Sequence, residues 1–293
     1  MTYTGEIAAL LTAVCWTICA IFFERAGRKV GSLSVNIIRI FLAIIFLGLT
    51  TTITRGMFFP FDATLHNWMW LGLSGVIGFF LGDLFLFKSY TMIGSRTSQL
   101  VMSLAPMFTA IISFLFLAEV LSLKSIIGIV VSISGIMIAV MGKDLKINAN
   151  LSPKGLLFAL GGALGQATGF VLSKKGMGDF DPIASTQIRA IAGFICFALL
   201  VTFLGRWKQI LKSAKDAEGI KWISIGAIFG PFIGVSLSLF AVQHTSAGIA
   251  ATLMALTPIL IIVPSKLIFK EKITSLQVIG AVVSIVGASI FFL

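Results

Sequence analysis

The chain has 293 residues, 58% of them hydrophobic and 11% charged, with a mean hydropathy of +1.06 and a formal net charge of +11. A soluble domain carries about 25% charged residues, so a soluble globule is excluded. The basic residues are scattered through the connections and not collected on a soluble domain with interleaved aromatics, so membrane orientation explains them better than a nucleic-acid surface.

Apolar runs of roughly 20 residues recur between short polar breaks, each long enough to cross about 30 Å of hydrocarbon as a helix. The first starts at Ile7 behind Glu6, with no basic leader and no small-residue cleavage site, and reads as a retained helix and not a signal peptide. In chain order the predicted spans are 7–23, 34–54, 68–87, 97–117, 124–141, 155–172, 183–204, 221–241, 247–268 and 274–293. The fold class is thus all-α integral membrane, with a five-helix unit over 1–142, a linker at 143–154 and a second five-helix unit over 155–293. Little chain remains outside the bilayer for a separate catalytic or regulatory domain. Cys15, Cys19 and Cys196 lie within apolar runs and are odd in number, so they read as small buried side chains and not a disulfide frame.

The two units are similar in sequence. A shift of 152 carries Met102, Leu104, Pro106, Glu119, Gly128, Ser132 and Gly135 onto Met254, Leu256, Pro258, Glu271, Gly280, Ser284 and Gly287, and an offset of 150 brings Arg39 onto Arg189. Because five is odd, two such units enter the membrane from opposite sides, which makes the repeats inverted. The charges agree. Of the 22 Lys and Arg, sixteen fall in the connections after spans one, three, five, seven and nine. Arg55, Lys124, Lys174 and Lys175 fall on the other side, and Arg39 and Arg189 lie within spans. Basic loops stay in the cytoplasm, so both termini are expected outside.

Glycines recur on single helix faces, at Gly161, Gly165 and Gly169, at Gly226, Gly230 and Gly234, and at Gly75, Gly78 and Gly82. Such faces let helices approach closely in lipid, either as fixed packing or as surfaces that rock. Gly128, Gly135 and Gly142, with Gly280 and Gly287, recur at seven and read as structural. Pro106 and Pro258, near the middle of spans four and nine, are predicted to kink their helices, which could serve a cavity. Ser122 and Thr274 read as N-caps, and Glu119 and Glu271 as hairpin-stabilising residues.

The segments GSRTSQLVMSLAPMFTAIISFLFLAEVLSLKSIIGIVVSISG and TSAGIAATLMALTPILIIVPSKLIFKEKITSLQVIGAVVSIVG, with Arg39 and Arg189, resemble the ten-helix EamA-type members of the drug/metabolite transporter superfamily along the whole chain. The resemblance implies a multi-pass carrier of the bacterial inner membrane that moves amino acids or other small metabolites by alternating access through a central cavity. It implies no particular substrate.

Charge at membrane depth is costly, so each such residue is a functional candidate. Asp83, alone among the eleven acidic residues, lies well inside a span. Arg39 and Asp83 share a level about 7 Å from the cytoplasmic face, counting 1.5 Å per residue. They read as an ion pair, structural or gating. Arg189 lacks an equivalent carboxylate, since the offset places Val235 there. Its guanidinium suits a substrate carboxylate, and the alternatives are snorkelling to headgroups or pairing with Asp181. The uncharged substrate-binding candidates are Trp16, Asn36, Gln99, Ser103, Gln166, Gln187 and Gln243, with Ser236 and Ser238 also in view. Trp16 and Gln166 are repeat equivalents, suited to a zwitterion with an apolar tail, though a deep Trp also serves packing.

No catalytic constellation, metal spacing or phosphate-cradling loop is visible, so no enzyme activity, metal or cofactor is expected. The expected partners are a small-molecule substrate and the lipid bilayer, with no nucleic acid, in a monomer or homodimer. A lipid flippase or lipid-modifying membrane protein is the competing class, and a channel lacks its charge rings or carbonyl filter. Asp83 facing Arg39 makes a poor proton carrier, which favours uniport or exchange.

Overall fold

The computed structural model describes residues 3–141, 152–260 and 275–290, and every regular element among them is helical. In order these are α1 (Thr4–Val30), α2 (Ser32–Arg55), α3 (Leu65–Ser74), a π-helical stretch (Gly75–Gly82), α4 (Asp83–Met102), α5 (Ala105–Leu117) and α6 (Leu123–Met141). The second half holds α7 (Pro153–Met177), α8 (Pro182–Phe203), α9 (Trp207–Ala214), α10 (Ala217–Ala227), a second π-helical stretch (Ile228–Gly234), α11 (Val235–His244), α12 (Ala247–Met254), α13 (Thr257–Leu260) and α14 (Ser275–Ser289).

Local chemistry starts and stops these helices. Thr64 and Asn67 form a capping box at α3, and Ser152, Asp181, Asp216 and Ser246 each accept a backbone amide at the start of α7, α8, α10 and α12. Pro153 and Pro182 occupy the first turns of α7 and α8, where the missing amide costs nothing. Between α1 and α2 a single residue makes the turn: Gly31 at φ 84°, a conformation other residues rarely adopt.

Among the described residues, six stretches are long and apolar enough to cross a membrane: Thr4–Val30, Ser32–Arg55, Leu65–Ile93, Pro153–Met177, Pro182–Phe203 and Ala217–His244. The protein is an integral, multi-pass membrane protein. Of the remaining four expected spans, 124–141 is helical throughout as α6, 97–117 ends in the apolar helix Ala105–Leu117, and 274–293 is described over Ser275–Ser289 as α14. The expected span 247–268 is described only as far as Leu260, as α12 and α13. Glu271, Thr274, Gly142 and most of the expected linker lie outside the described residues.

Two expectations change in form. Spans four and nine are not single kinked helices. Each breaks completely, at Ser103–Leu104 and at Ala255–Leu256, and Pro106 falls in the first turn of α5. Proline fits there because the first turn has no intrahelical use for its missing N–H, so it starts a helix here and does not bend one. Pro258 is the second residue of α13 in the same way. The expected loop at 88–96 is also absent as such, since helical backbone runs from Asp83 to Met102. Ser89 Oγ nevertheless donates to Ser98 Oγ at 2.7 Å, and Gln99 Nε2 to the Tyr90 hydroxyl at 2.6 Å. Nine residues of straight helix would hold such partners about 13 Å apart. The segment is therefore not one straight rod.

Contacts between the halves are exchanged. α1 packs along α10, the second π-helical stretch and α11, while α7 packs along α3, the first π-helical stretch and α4. The glycine faces make both contacts close: a Cβ on Gly165 would lie 2.8 Å from Gly82 Cα, one on Gly169 2.8 Å from Gly78 Cα, and one on Gly230 3.4 Å from Cys19 Sγ. Lipid supplies no hydrophobic drive between helices, so these approaches and the dispersion they allow carry the association. Ser74 Oγ adds a hydrogen bond to the Gly169 carbonyl at 2.6 Å. α6 and α14 pack on each other at the same closeness, Gly135 against the Ser284 backbone and Gly287 against Ser132.

Ion pairs sit at both ends of α1. Lys29, at its C-terminal end, pairs with Asp216 and Glu218 at the start of α10. The Gly219 amide, and after it Lys29, hold the Asp216 carboxyl below its ordinary value. At the N-terminal end Thr245 bonds Glu6, and Lys174 donates to the Thr245 carbonyl at 2.7 Å while pairing with Glu119 at 2.6 Å. Glu119 also accepts the Ala247 amide at 3.0 Å, so it ties α5, α7 and α12 together and does more than stabilise its own hairpin. Ser122 caps α6 through the Ser125 amide, as expected.

Candidate functional site

A cavity of about 150 Å³ opens where the two exchanged packings meet. Space of that size holds a molecule of roughly benzene's bulk. From the first half it is lined by Trp16, Cys19 and Phe23 of α1, Arg39 of α2, Phe79 of the π-helical stretch, Asp83, Phe87, Tyr90 and Gln99 of α4, and Ser103 at the helix break. The second half adds Gln166 and Phe170 of α7, Arg189 of α8, Gly230 and Pro231, Ser238, and Met254 with Thr257. Each π-helical stretch thus delivers residues to the wall, in keeping with the frequent placement of such widened turns at functional sites.

Asp83 is the hub. One carboxylate oxygen pairs with Arg39 Nη2, and the other accepts Gln166 Nε2 at 2.6 Å. Arg39 Nε donates to Asn36 Oδ1 at 3.0 Å, and its guanidinium lies 4.7 Å from the Phe87 ring centre and 5.4 Å from that of Phe23. Both charged residues are buried, so the pair is desolvated and its separation is costly: removing one partner of such a pair costs about 3–5 kcal/mol.

Arg189 is placed by a close backbone approach. Gly75 has no side chain where α8 crosses it, and a Cβ there would lie 2.3 Å from the Arg189 carbonyl oxygen. The guanidinium then reaches the cavity with its carbon 4.8 Å from the Phe79 ring centre. It is 3% exposed, and its Nε has no hydrogen-bond partner. It neither snorkels nor pairs with Asp181, whose carboxylate instead accepts the Ala184 amide at 2.8 Å as the cap of α8.

Of the residues singled out in the sequence, Trp16, Arg39, Asp83, Gln99, Ser103, Gln166 and Arg189 line the cavity, as does Ser238. Three candidates stand apart from it. Asn36 is fully buried behind Arg39 and holds that side chain. Gln187 donates to the Phe58 carbonyl at 2.8 Å, and Gln243 donates to the Gly178 carbonyl at 2.7 Å. Both amides tie loops to helix ends, as polar side chains in a dry setting must find local partners. Residues passed over in the sequence include Phe23, Phe87 and Tyr90. Helical spacing could have found them: Phe23 is seven residues from Trp16, and Phe87 and Tyr90 are four and seven from Asp83, so each shares its face.

The profile of the EamA-like transporter family matches this chain twice, over residues 3–141 and 153–293. The chain belongs to the EamA-like transporter family. That membership bears out the resemblance to EamA-type proteins of the drug/metabolite transporter superfamily. An "Uncharacterized transporter" of Archaeoglobus fulgidus is 23% identical over 213 residues, covering 73% of this chain and 73% of its own length. Another of the same name, from Clostridium kluyveri, is 26% identical over 223 residues, covering 75% and 71%. A solved crystal structure aligns with a TM-score of 0.74 at 15% identity, over 98% of this chain and 95% of its own, and so shares its fold. The family and the names of these relatives are those of transporters and not of enzymes.

Proposed function

We propose that this EamA-family protein is a secondary transporter of the inner membrane that moves a small organic solute, an amino acid or related metabolite, by alternating access. The observation that carries the reading is the cavity: one space, lined by both halves, whose wall includes Arg39, Asp83 and Arg189. Ten spans in two inverted five-helix repeats, divided near residues 142 and 154, make that possible. The exchanged packing of α1 and α7 on the opposite halves supports this architecture, and so does the opposite charge bias of the two halves. Trp16, Gln99, Ser103, Gln166 and Arg189 contact the solute, and Arg39 with Asp83 sets the wall behind it. Both oxygens of Asp83 are engaged, so the mode is uniport or exchange and not proton coupling through this carboxylate. Both termini face the periplasm.

The test is uptake or counterflow of labelled amino acids and small metabolites into proteoliposomes that contain this chain alone. Saturable movement of one of them supports the reading. A folded preparation that moves no solute of a broad panel but scrambles lipid replaces it with the flippase reading.

A further inference from the structure

We infer that the solute is a small organic monoanion, held by its carboxylate at Arg189, and that the site selects against the matched amide, amine and zwitterion. The inference rests on the transport reading and narrows its solute from an amino acid to a related metabolite that carries a carboxylate and no ammonium group. Two cations and one carboxylate face the cavity among the described residues. Arg39 and Asp83 neutralise each other, and Gln166 takes the second Asp83 oxygen. No carboxylate of the described residues forms an ion pair with Arg189, which is 3% exposed and has an unpartnered Nε, its guanidinium carbon lying 4.8 Å from the Phe79 ring centre. Asp83 acts on Arg189 through space but is already paired with Arg39, so this buried guanidinium has no contacting counter-charge of its own, which is unfavourable, and here the space beside it is the cavity itself. Its contents are therefore the natural source of the missing negative charge, and a carboxylate matches the planar fork.

A zwitterion would satisfy Arg189 equally well but bring an ammonium group with no free carboxylate to receive it. The ammonium would also sit close to two guanidinium groups. The rest of the wall near Arg189, including Phe79, Phe170 and Val235, is apolar and suits a hydrocarbon body.

The test uses the full chain in detergent and, separately, in liposomes. Thermal-shift and competition binding are measured with propionate and benzoate, with propionamide and benzamide as neutral isosteres, with benzylammonium, and with alanine as the zwitterion. The carboxylates are expected to bind at least about ten-fold more tightly than their amides, the fold-change that one charge-assisted contact supplies. Arg189→Gln removes that difference, and Arg189→Lys keeps part of it. Equal binding of acid and amide by the unaltered protein overturns the inference, as does preference for benzylammonium or alanine, or failure of both carboxylates to bind. Should Arg189→Gln not fold, the acid-against-amide comparison on the unaltered protein and Arg189→Lys still decide. Carboxylate binding through Arg189 without movement of any solute would sink the transport reading and leave this one. Transport of a neutral or cationic solute unaffected by Arg189→Gln would do the reverse.

Discussion

Ser132 and Ser284 meet where α6 crosses α14, the Ser132 hydroxyl donating to the Ser284 carbonyl at 3.3 Å. They are 152 residues apart, the same offset that aligns the two halves in sequence, so each serine faces its own counterpart. Gly135 and Gly287 reproduce the relationship one turn on: a Cβ on Gly135 would lie 2.3 Å from Ser284 N, and one on Gly287 2.4 Å from Ser132 N. A contact that exchanges equivalents in this way is what a local two-fold between the halves would produce.

Gly135→Ala and Gly287→Ala are each expected to destabilise the protein by about 1–3 kcal/mol, because the obstruction is backbone and cannot rotate away. Gly72→Ala is the control, since nothing lies within 4 Å of its would-be Cβ. Melting of the three variants in detergent checks this, and an undiminished midpoint for Gly135→Ala would contradict the close approach.

Arg39→Gln strands the Asp83 carboxylate, with an expected loss of about 3–5 kcal/mol and of expression yield. Asp83→Asn in the same chain should recover part of the loss, because a neutral pair leaves no buried charge. A double variant no more stable than the worse single one would show that the two side chains act independently.

Glu119 and Lys174 join helices from both halves at one end of α1 and are 17% and 24% exposed, so solvent screens them only in part. Glu119→Gln is expected to loosen that end and to raise labelling of Cys19, on the cavity wall, by an impermeant thiol reagent added from the periplasmic side. The background for this measurement carries Cys15→Ser and Cys196→Ser. Glu218→Gln, at the far end, should change labelling from that side little. Its pair with Lys29 is exposed, and such pairs contribute little.

Orientation is open to a direct check. A reporter active only in the cytoplasm should be silent when fused after Leu293 and active in the connection that contains Lys208 and Lys212. Reversed signals would exchange inside and outside, and with them the side from which Glu119→Gln exposes Cys19.

The membrane class, the duplication and the charged residues at membrane depth were legible in the sequence, because hydropathy, fixed offsets and intramembrane charge are properties of the chain itself. The pairing of Arg39 with Asp83 was legible as well, since both lie a similar number of residues from a basic connection. Other features were decided only in three dimensions. Pro106 reads in the sequence as a mid-helix kink, and only the break at Ser103–Leu104 shows that it starts a helix, because proline permits both. Gln187 is two residues from Arg189, yet one side chain ties down the Phe58 carbonyl and the other enters the cavity. Residues two apart on a helix face opposite sides, and spacing along a chain cannot say which side meets the cavity and which meets a free acceptor. The environment of Arg189 is of the same kind: Gly75 and Phe79 come from a distant helix whose crossing point is set by packing and not by sequence order.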